Sequence, residues 1–150
     1  MSSLHFELID WPAARARASP VRREVFIVEQ GVPADLEWDE WDDVSLHCLA
    51  VDETHVVRGT GRLLPDDDQG VARIGRMAVM REWRHRGVGA GILEALLHAG
   101  SQRKTRRIEL HAQVQATAFY ARYGFREEGD IFDEAGIPHL TMVRLLDPLK

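Results

Sequence analysis

Apolar residues recur along this chain at two spacings, every second position in some stretches and every third or fourth position in others. The first spacing is typical of strands and the second of helices. The pattern predicts strands at 4–8, 46–51, 56–63, 71–80, 107–112, 125–132 and 140–146. It predicts helices at 12–30 with an interruption near Pro20, from Gly87 onward, and at 115–123. Elements in this order favour an α/β (α+β) fold, with a central mixed sheet between helices.

Composition and length indicate one domain over residues 1–150. The chain of 150 residues is 45% hydrophobic and 29% charged, and no repeat, low-complexity tract or linker divides it. No apolar run approaches the ~20 residues that span a membrane, and residues 1–12 lack the apolar core of a signal peptide. The single cysteine, Cys48, can form no internal disulfide and is expected in the core. We therefore expect a cytoplasmic protein without a membrane partner.

The charge of the chain is negative overall. A formal net charge of −5 argues against nucleic acid as the main partner. The densest cluster of charges is acidic, lies within 35–43 and contains Trp38 and Trp41. Its carboxylates and indole faces can attract a cationic amine through charge and cation–π contact. The alternative is a solvated acidic loop whose tryptophans close the core.

A glycine-containing turn joins a predicted strand to a predicted helix at Arg84-His85-Arg86-Gly87-Val88-Gly89. Backbone N–H groups at the start of a helix bind phosphate, because they point outward and the helix dipole is positive there. The two glycines allow the turn and the approach of an anion. The turn lacks the Gly-Lys-Ser/Thr of a Walker loop and the third glycine of the dinucleotide fingerprint. The turn is thus either a phosphate site built from amides and arginines or a plain glycine-rich turn.

A second motif follows the next predicted strand. It reads Gln113-x-x-Ala116-x-x-Phe119-Tyr120-x-x-Tyr123-Gly124-Phe125, with a glycine where a helix end favours a left-handed residue. The two motifs together resemble the signature of the GNAT superfamily of N-acetyltransferases. That signature is a strand, then Arg/Gln-x-x-Gly-x-Gly/Ala, and later Asn-x-x-Ala-x-x-x-Tyr-x-x-x-Gly-Phe.

The resemblance covers most of the chain and points to the ElaA-like subgroup. It includes Arg23-Glu24-Val25-Phe26-Ile27-Val28-Glu29-Gln30, His47 and Gly136-Ile137-Pro138-His139. It implies the GNAT fold, a central mixed, mostly antiparallel sheet with helices on both faces. In that fold two neighbouring strands splay apart, and acetyl-CoA binds in the gap between them.

The resemblance also implies which residues hold acetyl-CoA. Backbone groups of the splayed strand at Met77 and Val79 pair with the pantetheine arm, and the Met77 amide can face the thioester oxygen. The pyrophosphate lies on the amides of the glycine turn, and Gln113 stands where the family usually has asparagine. The expected cofactor-binding residues are Met77, Ala78, Val79, Arg84, His85, Arg86, Gly87, Val88, Gly89, Ala90 and Gln113.

Chemistry in this family is direct attack of a neutral amine on the acetyl carbonyl, which needs a base for the ammonium and an acid for the thiolate. Tyr120 matches the family's tyrosine and is expected to be the acid; the alternative is a core tyrosine. Many members carry a carboxylate on the strand before the turn, but this chain has Gly75 and Arg76 there. Glu29 and His111 are therefore the candidate bases, with an exposed helix-end carboxylate and a structural histidine as the alternatives.

The amine acceptor is expected near the same residues. Glu29 and Gln30 lie on the helix that flanks the acceptor cleft in this fold, and His47 and His139 belong to the ElaA-like pattern. These four residues are the expected acceptor contacts; for His47 and His139 the alternative is a structural histidine. A zinc site of three histidines is an alternative that no close-spaced ligand pair supports, so no metal is expected.

The sequence therefore predicts an acetyl-CoA-dependent N-acetyltransferase that acts on a primary amine of a small molecule or peptide. A non-catalytic acyl-CoA-binding or regulatory module of the same fold is the alternative, because the strand carboxylate is missing. A plain nucleotide binder is a third interpretation. The identity of the acceptor and the length of the acyl group stay open, and a homodimer is compatible with the resemblance.

Overall fold

A seven-stranded sheet organises residues 3–146, the part of the chain that the computed structural model describes. The strands are β1 (Leu4–Ile9), β2 (Leu46–Asp52), β3 (Val57–Leu63), β4 (Val71–Val79), β5 (Arg107–Gln113), β6 (Arg126–Glu134) and β7 (Ile137–Leu145). Their order across the sheet is β1-β2-β3-β4-β5-β7-β6. Every neighbouring pair is antiparallel except β4 and β5, which are parallel. The predicted mixed, mostly antiparallel sheet is confirmed.

Helices cover both faces of the sheet. They are α1 (Trp11–Arg22), which continues into a π-helical segment (Arg23–Glu29), α2 (Ala34–Glu37), α3 (Val88–Gln102) and α4 (Thr117–Ala121). Short 3₁₀ turns occupy Glu40–Val44, Arg81–Trp83 and Val114–Ala116. The acidic cluster within 35–43 therefore lies on a turn of α-helix and a 3₁₀ turn.

Helix α1 begins at a capped end and passes through Pro20 without a break. Asp10 caps it by accepting a hydrogen bond from the Ala13 N–H at 3.2 Å. The predicted interruption near Pro20 is wrong. Proline removes a helical hydrogen bond to the carbonyl of Ala16, but both residues are exposed, so solvent can hydrate that carbonyl. The departure from α-helical geometry comes later, at Arg23.

Two apolar clusters fix the helices on the sheet. Trp11, Ala14 and Ala18 of α1 pack against Leu49 and Val51 of β2. The opposite face carries the larger cluster, in which α3 contributes Val88, Ile92, Leu93, Leu96 and Leu97. Cys48 is fully buried in that cluster, as predicted, and burial raises the pKa of its thiol to about 12. No helix among the described residues is long and apolar enough to cross a membrane.

Strands β4 and β5 separate soon after they begin. They pair only where Val71–Arg73 lies beside Arg107–Glu109, while β4 continues to Val79 and β5 to Gln113. The predicted splay is therefore present. Because the two strands leave each other in the middle of the sheet, the second half of β4 offers a free backbone edge to the opening.

Candidate active site

The turn before α3 presents a run of unpaired amides. Gly87, with φ 83° and ψ 6°, adopts the left-handed conformation that favours glycine and directs the chain into the helix. The Gly91 N–H makes the first helical hydrogen bond, to the Gly87 carbonyl at 3.0 Å. Among the described residues, the amides of 85–90 have no hydrogen-bond acceptor, and the first turn of α3 holds no acidic residue. Such a run of amides at a helix start can bind an anion.

Strand β4 supplies backbone groups directed toward the opening. The Met80 N–H donates to the Arg58 carbonyl of the chain beside it at 2.9 Å. Since peptide groups alternate in direction along a strand, the N–H and C=O of Val79 point away from β3, as do those of Met77. Ala78 pairs with Thr60 on β3, and its side chain packs against α1 residues. Met77 and Val79 are thus the two β4 residues whose backbone faces the opening.

Glu29 and Arg84 form a bidentate ion pair beside these backbone groups. Arg84 donates from its two Nη atoms to the two Glu29 oxygens, each at 2.6 Å, and from Nε to the Val79 carbonyl at 3.1 Å. The hydrogen bonds from Arg84 hold the pKa of Glu29 below its usual range. A carboxylate held in this way is a weak proton acceptor. The alternative of an exposed helix-end carboxylate does not describe Glu29, whose side chain is 20% exposed.

Three glutamines are joined by hydrogen bonds at the other side of the opening. The Gln113 Nε2 donates to the Gln30 Oε1 at 3.0 Å, and the Gln115 Nε2 donates to the Gln113 Oε1 at 2.6 Å. Gln30 follows directly on the π-helical segment, and Gln113 is the last residue of β5. The helix end therefore contacts both splayed strands, through Glu29 toward β4 and through Gln30 toward β5.

Tyr120 lies in an aromatic cluster on the α3 side of the sheet. Its ring contacts Phe119 and Phe125 edge to face, with ring centroids 5.1 and 6.0 Å apart. Burial raises the pKa of the phenol to about 12. Within residues 3–146 the hydroxyl has no hydrogen-bond partner. Phe119 also approaches Gly89, as does Val79, so this cluster adjoins the start of α3.

His111 and His139, separate in sequence, meet at one carboxylate. The Nδ1 of His111 lies 2.9 Å from the Glu134 Oε1, and the Nε2 of His139 lies 3.7 Å from the Glu134 Oε2. Phe132 lies between the two imidazoles. Glu134 is a residue that sequence reasoning missed, because its proximity depends on the pairing of β5, β7 and β6.

His47 lies away from these residues. Its side chain is buried, stacks on Trp11 with ring centroids 4.6 Å apart, and lies with Nε2 2.9 Å from the Asp42 carbonyl oxygen. Burial lowers the pKa of His47. A side chain that is 1% exposed cannot touch an acceptor without rearrangement, so the structure does not place His47 among the acceptor contacts.

Three carboxylates of the acidic segment, those of Glu37, Asp39 and Asp42, pair with arginines of this chain, whereas Asp35, Glu40 and Asp43 are exposed. Arg22 contacts Glu37 at 2.5 Å and Asp42 at 2.7 Å, and Arg62 contacts Asp42 at 2.9 Å. The Arg22 guanidinium also lies 5.0 Å from the Trp38 ring and 5.2 Å from the Trp11 ring. The cation beside Trp11 and Trp38 is thus Arg22 of this chain. Neither an amine-binding surface nor a solvated loop describes these contacts.

Arg76 ties the same segment to the edge of the opening. It adopts a left-handed backbone conformation, φ 51°, at the point where the register between β3 and β4 shifts. Its guanidinium donates to the carbonyls of Leu36 and Glu37 and to Asp39. At the strand position where the resemblance to the family implied a carboxylate, this chain thus has an arginine that anchors a loop.

The remaining residues of the glycine turn lie at the surface. Arg86 stacks on Trp83, with its guanidinium carbon 5.1 Å from the ring, and His85 has a positive φ of 64°. Both are exposed and adjoin the unpaired amides. No group of three or more metal-ligating side chains occurs among the described residues.

A parallel strand pair that splays open, followed by a helix start with free amides, defines the class of acyltransferases that bind an acyl-CoA donor between two strands. The model of the acetyltransferase (GNAT) domain matches residues 14–146, and the chain belongs to this family.

Individual proteins agree with this assignment. The "Uncharacterized N-acetyltransferase YjcF" of Bacillus subtilis is 40% identical over 126 residues, which cover 83% of this chain and 87% of YjcF. Protein ElaA of Escherichia coli is 30% identical, over 83% of this chain and 82% of ElaA. The crystal structure of an acyl-CoA N-acyltransferase from Pseudomonas aeruginosa superposes with a TM-score of 0.83 at 30% identity, over 95% of this chain and 99% of that one. The resemblance to the GNAT superfamily with ElaA-like relatives is confirmed.

Membership in this family makes the chain an acetyltransferase, and its chemistry is acyl transfer from an acyl-CoA. The residues present fit such a donor. Free amides at 85–90 suit a pyrophosphate, and the free edge of β4 suits the amides of a pantetheine arm.

Proposed function

We propose that the protein transfers an acetyl group from acetyl-CoA to a primary amine of a small molecule or peptide, by direct attack of the amine. The observation that carries the proposal is the opening between β4 and β5. It combines a free strand edge with six consecutive unpaired amides at 85–90.

The donor site in this proposal consists of backbone groups and arginines. Met77 and Val79 hold the pantetheine arm, the amides of 85–90 hold the pyrophosphate, and Arg84 and Arg86 add positive charge. Gln113, held by Gln30, closes the other side of the opening. When bound, acetyl-CoA supplies an acetyl group activated as a thioester, and the chain keeps it beside the acceptor.

Tyr120 is the proton donor for the leaving sulfur in this proposal. Its raised pKa of about 12 keeps the phenol protonated at neutral pH, and its hydroxyl is not engaged by another described residue. The Met77 N–H, which faces the opening, can stabilise the negative charge that develops on the carbonyl oxygen.

His111 is favoured over Glu29 as the base. Glu29 is committed to Arg84 by two short hydrogen bonds, which lower its basicity. His111 lies on β5 with a ring nitrogen that has no partner among the described residues. Gln30 contacts Gln113, and His139 lies at the same carboxylate as His111, that of Glu134. Both are kept as acceptor contacts.

Calorimetric titration with acetyl-CoA, with ATP as the control, tests the donor site. We expect acetyl-CoA to bind at least tenfold more tightly than ATP, because only the former has an arm that pairs with β4. A panel of primary amines then tests turnover, followed as release of free CoA. Equal affinity for both ligands, or no binding, would contradict the donor assignment. Binding without CoA release from any amine would favour a non-catalytic module.

A further inference from the structure

Glu134 lies at the centre of four side chains that no motif brought together. We call His111, Phe132, Glu134 and His139 the Glu134 cluster. Register pairing explains the cluster, since Phe132 lies opposite His139 and Glu134 opposite Ile137 on the β6–β7 pair. His139 in turn lies opposite Gln113, on the same face of β5 as His111.

The hydrogen bonds of His139 determine which of its nitrogens carries a proton. Its Nδ1 lies 2.7 Å from the Ile137 carbonyl oxygen, which can only accept. Nδ1 must therefore be protonated. The Nε2 then faces the Glu134 carboxylate at 3.7 Å, and the pair attracts when His139 is a cation.

The same reasoning applied to His111 leaves one nitrogen free. Its Nδ1 lies 2.9 Å from the Glu134 Oε1, and an ionised carboxylate can only accept. The neutral ring therefore carries its proton on Nδ1 and its lone pair on Nε2. In the described part of the chain, Nε2 has no hydrogen-bond partner, and 24% of the side chain is exposed. Phe132 restricts rotation of the ring by an edge contact at 5.1 Å.

The Glu134 cluster faces the opening between β4 and β5. His111 shares a face of β5 with Gln113, which contacts Gln30 above the opening. The hydrogen bond from His111 lowers the pKa of Glu134, and the positive charge of Arg76 on β4 acts in the same direction. Glu134 is therefore ionised at neutral pH, and it lies beside His111 of the splayed strand β5.

We propose that Glu134 is a positioning residue for acetyl transfer. Its carboxylate fixes His111 as the Nδ1–H tautomer and so leaves Nε2 as the base. The inference rests on the proposed function. In the step, an N–H bond of the acceptor ammonium breaks, the proton moves to His111 Nε2, and the electron pair stays on the amine nitrogen. The neutral amine is then the nucleophile. Without the carboxylate, neutral imidazole is free to take the other tautomer, in which Nε2 carries a proton and cannot accept one.

Nitrogen-15 NMR of the imidazole rings tests the tautomer directly. The His111 signals are assigned by their loss in His111→Gln and recorded at a pH where the ring is neutral. We expect Nδ1 protonated and Nε2 bare in the unaltered protein, and a ring protonated predominantly on Nε2 in Glu134→Gln, whose side-chain NH2 can donate to Nδ1. A protonated Nε2 in the unaltered protein would overturn the proposal, whether or not a productive amine has been found.

Kinetics with an amine that supports turnover provides the second test. Glu134→Gln is expected to lower kcat about 100-fold and to leave the KM for acetyl-CoA within twofold, because Glu134 acts through the base alone. Glu128→Gln is the matched control, since Glu128 is an exposed carboxylate of β6 that pairs with Arg107 away from the opening. Thermal unfolding of both variants separates a local effect from misfolding.

The two tests fail in different ways. An unaltered protein that releases no CoA with any amine contradicts the proposed function, and the NMR result still decides the role of Glu134. An active protein whose kcat is unchanged by Glu134→Gln refutes the positioning role and leaves the acetyltransferase assignment intact.

Discussion

The phenol of Tyr120 combines burial with a free hydroxyl. Its ring lies against Phe119 and Phe125, and burial raises its pKa to about 12. The side chain is half-buried, and its hydroxyl is not among the buried polar atoms without a partner, so a ligand can reach it. In the proposed reaction the thiolate of the leaving group is that ligand, and the phenol supplies its proton.

Replacement of Tyr120 by phenylalanine removes only the hydroxyl and tests its role as the proton donor. We expect Tyr120→Phe to lower kcat about 100-fold, the range of general acid catalysis, and to leave the calorimetric affinity for acetyl-CoA within threefold. Tyr123→Phe is the matched control, because Tyr123 is on the same segment and packs against Phe119. Equal kcat values for the two variants would remove Tyr120 from the reaction.

Features of the site that depend on the local backbone could be predicted from the sequence. Contacts between side chains that are distant in sequence could not. The free amides follow from the glycine turn and the helix after it, both local features. The environment of Arg22 does not, because its partners Glu37 and Asp42 come from other segments. The spacing of charges along 35–43 contains no information about which arginines will neutralise them. Glu134 was missed for the same reason.

The π-helical segment Arg23–Glu29 is the element that spans the opening. The wider turns of a π-helix shift the residues after it relative to an α-helix. Here the shift accompanies the placement of Glu29 on Arg84, which in turn bonds the Val79 carbonyl of β4, and of Gln30 on Gln113 of β5. The Arg84 guanidinium also occupies the Val79 carbonyl. A donor that uses either Arg84 or that carbonyl competes with the Glu29–Arg84 pair.

The variant Glu29→Gln measures this competition. We expect acetyl-CoA to bind about three- to tenfold more tightly, because Arg84 loses its carboxylate partner and a negative charge leaves the donor site. The kcat is expected to change less than fivefold. Glu24→Gln, on an exposed position of the same segment, is the control. A 100-fold fall in kcat for Glu29→Gln would instead identify Glu29 as the base.

The boundaries of the elements show what periodicity can predict. Strands β2, β3, β4 and β5 and helix α3 follow strong apolar patterns and agree with their predicted positions to within two residues. The π-helical segment has no distinct pattern, since its apolar residues also fit an α-helix. Strand β7 begins at Ile137, earlier than predicted, because Pro138 interrupts the alternation of its sequence.

Carboxylates with lowered pKa values make the folding stability of the whole molecule depend on pH in the acid range. Hydrogen bonds from Arg17 lower the pKa of Glu7 from 4.5 to about 2, and hydrogen bonds from Thr54 and Arg58 lower that of Asp52. A hydrogen bond from His111 likewise lowers the pKa of Glu134. Since these groups bind protons more weakly in the folded state than in the unfolded state, their contribution to stability is present above the unfolded pKa. It is lost as the pH falls through the folded values.

Urea unfolding at a series of pH values checks this sign. The midpoint concentration of urea is expected to fall slightly below about pH 6.5, where the unfolded chain protonates His47 more readily than the folded one, and more steeply between about pH 4.5 and 2. Glu7→Gln is expected to make the fall shallower. Glu94→Gln, an exposed carboxyl of α3 without an ion-pair partner in residues 3–146, is expected to leave it unchanged. A midpoint that rises on acidification would contradict the assignment.

Helix α3 contacts the far edge of the sheet through a glycine. A Cβ added to Gly91 would overlap the ring of Phe6 on β1, so only glycine allows this approach of helix and strand. The same helix carries the free amides at its start. A strand at the far edge of the sheet, remote from the opening, thus helps to set the distance between those amides and the edge of β4. Substitution of Phe6 can therefore change which acyl-CoA donors fit between the amides and β4. It would leave the reacting groups themselves unaltered.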